Sequence, residues 1–162
     1  KKNKPEKILE IFEDFKKEIL AYTAKKKVIL PMDVIVGPAD VKKAKAMSVK
    51  NLNLKSGMAI FDIGPQTIRL FSRYIKKAQT IVWNGAMGYF EKHPYQYGTY
   101  SVARLIASQS KRKAFGVAGG GETIEVLKKL NLLSDIDLPS TGGGSMLEYL
   151  SGKKLPGIEA LR

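Results

Sequence analysis

Two runs of three glycines are the residues of this 162-residue chain best suited to chemistry. The first lies in "VAGGGETIEVL", Val117 to Leu127, and the second in "STGGGSMLEYL", Ser140 to Leu150. Each follows a short strand-like run and precedes a helical pattern. Glycine has no Cβ, so its backbone can approach a bound group closely. A helix start offers free N–H groups and about half a positive charge. The combination makes an anion site, with phosphate as the natural occupant. Gly119–Gly121 opens the helix expected from Glu122, and Thr123 adds a hydroxyl. Gly142–Gly144 opens the helix expected from Ser145, with Thr141 just before it. Neither loop continues into the Gly-Lys-Ser/Thr of a Walker A loop. Plain turn chemistry is the alternative for each.

Glu122 is an odd neighbour for phosphate. Its carboxylate repels an anion unless Mg²⁺ lies between them. The alternative is an acidic residue placed to favour the helix dipole, worth ~0.3–1 kcal/mol. A third stretch, "WNGAMGYFE", Trp83 to Glu91, turns at Gly85 and Gly88 and then presents a carboxylate. It could wall a nucleoside pocket, with Glu91 accepting from sugar hydroxyls. Equally, it could be a glycine-rich loop with Trp83 as core packing. His93, the only histidine, is expected at the surface. No Ser-His-Asp spacing and no His/Asp metal cluster is present in the sequence.

Elements must position these loops. Ile8, Phe12, Phe15, Ile19 and Tyr22 recur three or four apart, so a helix is expected from Pro5 to about Lys25. "VILPMDVIV", Val28 to Val36, is expected as a strand, at an edge or broken because of Pro31. Residues 37–57 read as a polar connection that could form a small hairpin. Further strands are expected at "MAIFDIGP", "TIVWNG", "AFGVA" and "IDLPS", and helices at 66–77, 97–110, 122–130 and 145–150. Strands alternating with helices imply a parallel sheet with helices on its faces. Such sheets hold ligands at the carboxyl ends of their strands, where Asn84-Gly85 and both glycine triplets fall.

Composition bounds the rest. One domain of this length can bury roughly 70% of its unfolded surface. Apolar residues make up 44%, which is not a disordered composition. Without cysteine there are no disulfides and no thiolate chemistry, which suits a reducing, cytoplasmic setting. No apolar run reaches the ~18 residues of a membrane span. The start, "KKNKPEKILE", has neither a signal-peptide centre nor an initiating Met, and a fragment or processed product is expected. The net charge of +13 favours anionic partners. The lysines are dispersed, with small clusters at Lys25–Lys27 and Lys111–Lys113, and no zinc-finger spacing or RNA-binding signature accompanies them. Nucleic acid is therefore not the expected partner.

The ordered set "LPMDVIV", "DIGPQTIRLF", "TIVWNGAMGYFE", "VAGGGETIEVLKKL" and "STGGGSMLEYLSGKKLPGIEAL" resembles phosphoglycerate kinase, specifically its C-terminal, nucleotide-binding domain. The resemblance spans nearly the whole chain and rather less than half of a whole kinase. It implies an α/β fold: a three-layer α/β/α Rossmann-like domain with a mainly parallel sheet, incomplete relative to the family. It implies reversible transfer of the acyl phosphate of 1,3-bisphosphoglycerate to Mg-ADP, giving 3-phosphoglycerate and ATP, by a cytoplasmic monomer. Asn84 resembles the asparagine near the nucleotide phosphates, and Glu91 the carboxylate on the ribose hydroxyls. Gly88 and Tyr89 fall in the same nucleotide-binding loop. Gly120, Gly121 and Thr123 resemble the helix start that receives phosphate. Glu122 stands where the family has the Asp that meets Mg²⁺. Thr141 and Gly142–Gly144 resemble the loop that cradles the phosphoryl group in flight.

The chain departs from the family pattern at several positions. Glu122 is a methylene longer than Asp. Ala86 replaces a proline. Tyr89 stands where a small aliphatic lines the adenine slot, and Ile60 and Phe61 replace Gly-Leu beside the base. The resemblance also implies missing parts: the N-terminal domain that binds 3-phosphoglycerate, and a Gly-Gly-x-Lys segment. Two strands that the family inserts between its third and fourth are missing as well. The fragment alone is expected to lack kinase activity, which the intact protein would have. A degenerate nucleotide-binding or scaffolding module is the alternative. A gap in the sheet, or re-paired strands, is expected. A continuous sheet placing Ile29 beside Val82 would contradict the resemblance.

Overall fold

A computed structural model of the chain describes residues 4–25, 27–38 and 44–161, with the backbone alone described for residues 4–12 and 15. It divides into two compact units, Lys1–Pro31 and Met32–Arg162.

The first unit holds α1, Lys4–Ala24. Its span agrees with the periodicity. Of the stripe that predicted it, Ile19 is half-buried and Tyr22 is exposed, whereas the side chains of Ile8, Phe12 and Phe15 lie outside the described residues. Thr23 Oγ1 donates to Ile19 O at 2.7 Å, a common use of threonine inside a helix. Lys26, in the first lysine cluster, is also outside the described residues.

The second unit contains two three-stranded sheets. β1 (Asp33–Pro38), β2 (Lys45–Ser48) and β3 (Met58–Ile63) form an antiparallel sheet in the order β2-β1-β3. β4 (Thr80–Asn84), β5 (Phe115–Gly119) and β6 (Leu138–Ser140) form a parallel sheet in that order. The α/β class holds, but parallel pairing covers only the second sheet. Of the small hairpin allowed for within residues 37–57, only one strand, β2, lies inside that span; it pairs antiparallel with β1, which begins before it, and residues 39–43 between them are not described. The sheets do not pair with each other among the described residues, so a gap separates them, and Ile29 lies in no strand.

The strand expected from Val28 starts instead at Asp33 and is central in its sheet, not an edge. Pro31 has no N–H to give a ladder, so the chain breaks there and pairing begins after it. Asp33 then fastens the next helix, α2 (Pro65–Ile75). Its carboxylate accepts from Thr67 N at 2.7 Å and Gln66 N at 3.0 Å. Thr67 Oγ1 in turn accepts from Met32 N and Asp33 N, each at 3.0 Å. Both side chains are buried. They satisfy helix-start donors that would otherwise face an apolar interior.

α3 (Tyr97–Ser110) and α4 (Gly121–Lys129) cover one face of the parallel sheet. Trp83 and Ala118 meet Val102, Ile106, Ile124 and Leu127 in this core. Full burial of one such aliphatic side chain is worth ~1.5–3 kcal/mol. Trp83 is 4% exposed, so it is core packing. α5 (Gly143–Leu150) begins two residues before the expected Ser145, because a first helical turn tolerates glycine. On the sheet's other face, Met146 of α5 fills the space a side chain at Gly119 would need. A short helix not anticipated from the sequence, α6 (Pro156–Glu159), ends the unit, with Pro156 in its first turn.

Candidate functional site

The register of the parallel sheet builds the site. Asn84 pairs with Gly119, and Gly119 with Ser140. These are the last residues of β4, β5 and β6, so all three strands end side by side. The chain leaves each strand into a loop, and two of those loops enter α4 and α5.

The loops touch. Gly120 has φ +94°, a backbone that L side chains rarely adopt. A Cβ on Gly143 would lie 2.7 Å from Gly120 Cα. Gly120 N donates to Ser140 O at 3.0 Å, tying the first loop to the end of β6. Asn84 Nδ2 donates to Gly143 O at 2.9 Å. Gly85 N donates to Thr123 Oγ1 at 2.9 Å. Asn84 and Thr123 thus brace the three strand ends against one another.

The first ladder bonds of the two helices are Ile124 N to Gly120 O and Met146 N to Gly142 O. The N–H groups of Gly121, Glu122 and Thr123, and of Gly143, Gly144 and Ser145, precede those bonds. Intrahelical geometry gives them no partner. All of these residues except Ser145 line a cleft of about 440 Å³, together with Asn84, Gly85, Gly120 and Thr141. A Cβ on Gly121 or Gly144 would meet nothing within 4 Å, so both positions open onto free space. Donors from two helix starts suit an anion of phosphate type.

The structure brings Asn84, Gly120, Gly121, Glu122, Thr123, Thr141, Gly143 and Gly144 around this cleft. Gly85 joins them. Gly142 is the cap of α5, exposed, and its N–H points to Ser140 Oγ at 3.3 Å. Gly88, Tyr89 and Glu91 do not line the cleft. They lie on the loop after β4, where Tyr89 and Glu91 are exposed. Tyr89 N donates to Phe61 O at 2.7 Å, and the Phe61 ring lies 6.1 Å from Tyr89 and 4.5 Å from Tyr95. Ile60 is exposed, and so is His93. Among the described residues, no three Asp, Glu or His side chains gather where a metal ion could sit, and Glu122 is the one carboxylate at the cleft. No described helix is long and apolar enough to cross a membrane.

Sequence reasoning missed Asp62 and Thr99, two buried residues next to the Tyr89 loop. Thr99 Oγ1 accepts from Met87 N and Gly88 N, each at 3.1 Å. Asp62 accepts from Gly98 N at 2.6 Å. Both are buried polar residues with long-range partners, and no local pattern marks them. A separate hollow of about 330 Å³, lined mainly by Ile35, Ile63, Pro65 and Ile68, is apolar and carries no such set of donors.

Comparison with known proteins covers the same elements. The family model for phosphoglycerate kinase matches residues 3–153. The phosphoglycerate kinase of Chlorobium phaeobacteroides is 41% identical over 157 residues, which are 93% of this chain and 40% of that protein. That of Chloroflexus aggregans is 38% identical over 136 residues, covering 84% of this chain and 34% of the relative. The structure of the Coxiella burnetii enzyme superposes with a TM-score of 0.77 at 36% identity, over 90% of this chain and 38% of that one. That of Pyrococcus horikoshii gives 0.70 at 31% identity, over 93% and 38%. The chain thus spans well under half the length of the proteins it matches. From its family match and its superposition on solved members, this chain belongs to the phosphoglycerate kinase family.

Proposed function

We propose that this chain is a partial C-terminal, nucleotide-binding domain of a phosphoglycerate kinase, and that its cleft holds the phosphates of ADP or ATP. The observation that carries this reading is the meeting of two glycine-opened helix starts at the ends of three parallel strands. In the intact enzyme the acyl phosphate of 1,3-bisphosphoglycerate would pass to ADP, giving 3-phosphoglycerate and ATP. Phosphoryl transfer needs positioning and preorganised donors more than covalent chemistry by the protein. Gly120, Gly121 and Thr123 would receive nucleotide phosphate. Thr141 and Gly142–Gly144 would face the group in transfer, and Asn84 would hold the two loops at a fixed separation. Gly88, Tyr89 and Glu91, on their own loop, would serve the nucleoside.

The residues fit Mg²⁺ in a limited way. Mg²⁺ is commonly held by one or two carboxylates together with substrate phosphates. Glu122, the single carboxylate at the cleft, meets that need only with nucleotide present. When bound, the ion would neutralise charge on the phosphates. These residues span well under half the length of the kinases they match, and we propose that on their own they bind nucleotide without turning over. Losing even one preorganised donor lowers a rate by ~10²–10³.

The test is a titration with ADP, with and without Mg²⁺, followed by the fluorescence of Trp83. That residue is the only tryptophan and directly precedes Asn84. Mg²⁺-dependent saturation, weakened about tenfold or more in Glu122→Ala and Glu91→Ala, is the expected outcome. Absence of binding in the intact protein would favour a degenerate scaffolding module instead.

A further inference from the structure

Asp62 is 2% exposed, next to the last residue of β3. Neither of its recorded hydrogen bonds goes to a cation. Oδ2 accepts from Gly98 N at 2.6 Å, in the first turn of α3, and Oδ1 accepts from Ile63 N at 2.9 Å. A side chain at Gly98 or at Gly88 would strike this carboxylate. The loop after β4 is therefore pressed onto it. The residues on either side of the Asp62–Gly98 bond hold the loop's backbone. Phe61, before Asp62, accepts from Tyr89 N at 2.7 Å. Thr99, after Gly98, accepts from Met87 N and Gly88 N. Gly85, at the loop's other end, is tied to Thr123 in the cleft.

We propose that Asp62 is the positioning residue for the Gly85–Glu91 loop, locking it between β3 and the start of α3 in the shape that nucleotide binding uses. This rests on the reading of the loop as the nucleoside side of the site. Burial pushes the Asp62 carboxyl up to about 6, against the opposing pull of the Gly98 and Ile63 N–H groups. The other titratable or charged side chains on β1, the loop 85–96 and α3 are Asp33, Tyr89, Glu91, Lys92, His93, Tyr95, Tyr97, Tyr100 and Arg104. Asp33 is engaged with Gln66 and Thr67, Tyr95 with Pro38, and His93 lies within reach of Gln96 and Tyr97. An opening that hydrates Asp62 returns it to its ordinary pKa of 3.8. Opening therefore becomes easier by about thirtyfold as pH rises from 4 to 6 and levels off above that.

Hydrogen exchange of the whole chain, corrected for the intrinsic pH dependence of exchange, tests this. Protection of the Gly88, Tyr89 and Gly98 amides should fall from pH 4.5 to pH 7 in the wild type. In Asp62→Asn that pH dependence should vanish, and Mg-ADP should bind about tenfold more weakly, since an Asn amide cannot accept from both N–H groups. Should Asp62→Asn fail to fold, the wild-type exchange profile decides for Asp62; Thr99→Val, which removes the separate tether to Met87 N and Gly88 N, should loosen the same loop, and Thr99→Ser should restore it. pH-independent protection in the wild type, or altered protection with unaltered nucleotide affinity, overturns the proposal. If the wild type binds no nucleotide, the functional reading fails, and the lock on the loop stands or falls on the exchange data alone.

Discussion

Replacing Gly143 by alanine should separate the two glycine loops. A Cβ there would lie 2.7 Å from Gly120 Cα, 3.0 Å from Gly120 N and 3.1 Å from Asn84 Oδ1. Ordinary carbon contacts begin near 3.5 Å, so the loops must move apart by about 0.8 Å. Gly120 cannot yield freely, because its N–H is held by Ser140 O at 3.0 Å and its φ is +94°. Asn84 also loses its aim at Gly143 O, now at 2.9 Å. Overpacking of this kind costs ~1–3 kcal/mol, and each strained hydrogen bond adds ~0.5–1.5. A destabilisation of about 2–4 kcal/mol is expected. The adjacent Gly144→Ala is the internal control. Its Cβ meets nothing within 4 Å and it sits inside α5, so it should be neutral or stabilising by up to ~1 kcal/mol. Guanidinium unfolding of both variants reads the contrast. Equal midpoints would refute the claim that these loops are packed against each other.

The stability of the second unit should respond to pH through Asp62. Its carboxyl is raised from 3.8 to about 6, so the folded state keeps a proton that the unfolded chain has lost. Stability should therefore fall by about 2 kcal/mol as pH rises from 4 to 6, a loss absent in Asp62→Asn. Asp137 acts in the opposite sense. Gly116 N and Ser110 Oγ, at 2.7 and 2.6 Å, hold its carboxyl below the usual value. Its contribution is present above the ordinary carboxylate pKa and is lost as pH falls below it, which Asp137→Asn should reveal in acid melts. Thr67→Val keeps the shape but removes the oxygen that joins Met32, Asp33 and α2. With buried donors left unpaired, thermal or chemical unfolding should show a loss of about 2–4 kcal/mol.

Local pattern determined much of this protein. Helices α1 to α5, the strand ends at Asn84, Gly119 and Ser140, and the glycine-opened helix starts follow, to within a residue or two, from periodicity and from glycine's missing Cβ, which act over a few residues. Tertiary structure decided the rest. Pro31 allowed an edge strand or a break, and only the ladder to β2 and β3 put a central strand after it. Asn84 was legible as a site residue, but its bond to Gly143, 59 positions away, was not. Nor was the contact of Gly88 and Gly98 with Asp62, because a glycine's sequence neighbourhood does not say what will approach it. The parallel register alone brings the two triplets, 23 residues apart, into one cradle. Short-range sterics are written residue by residue, whereas a site made of three strand ends exists only once long-range pairing has aligned them.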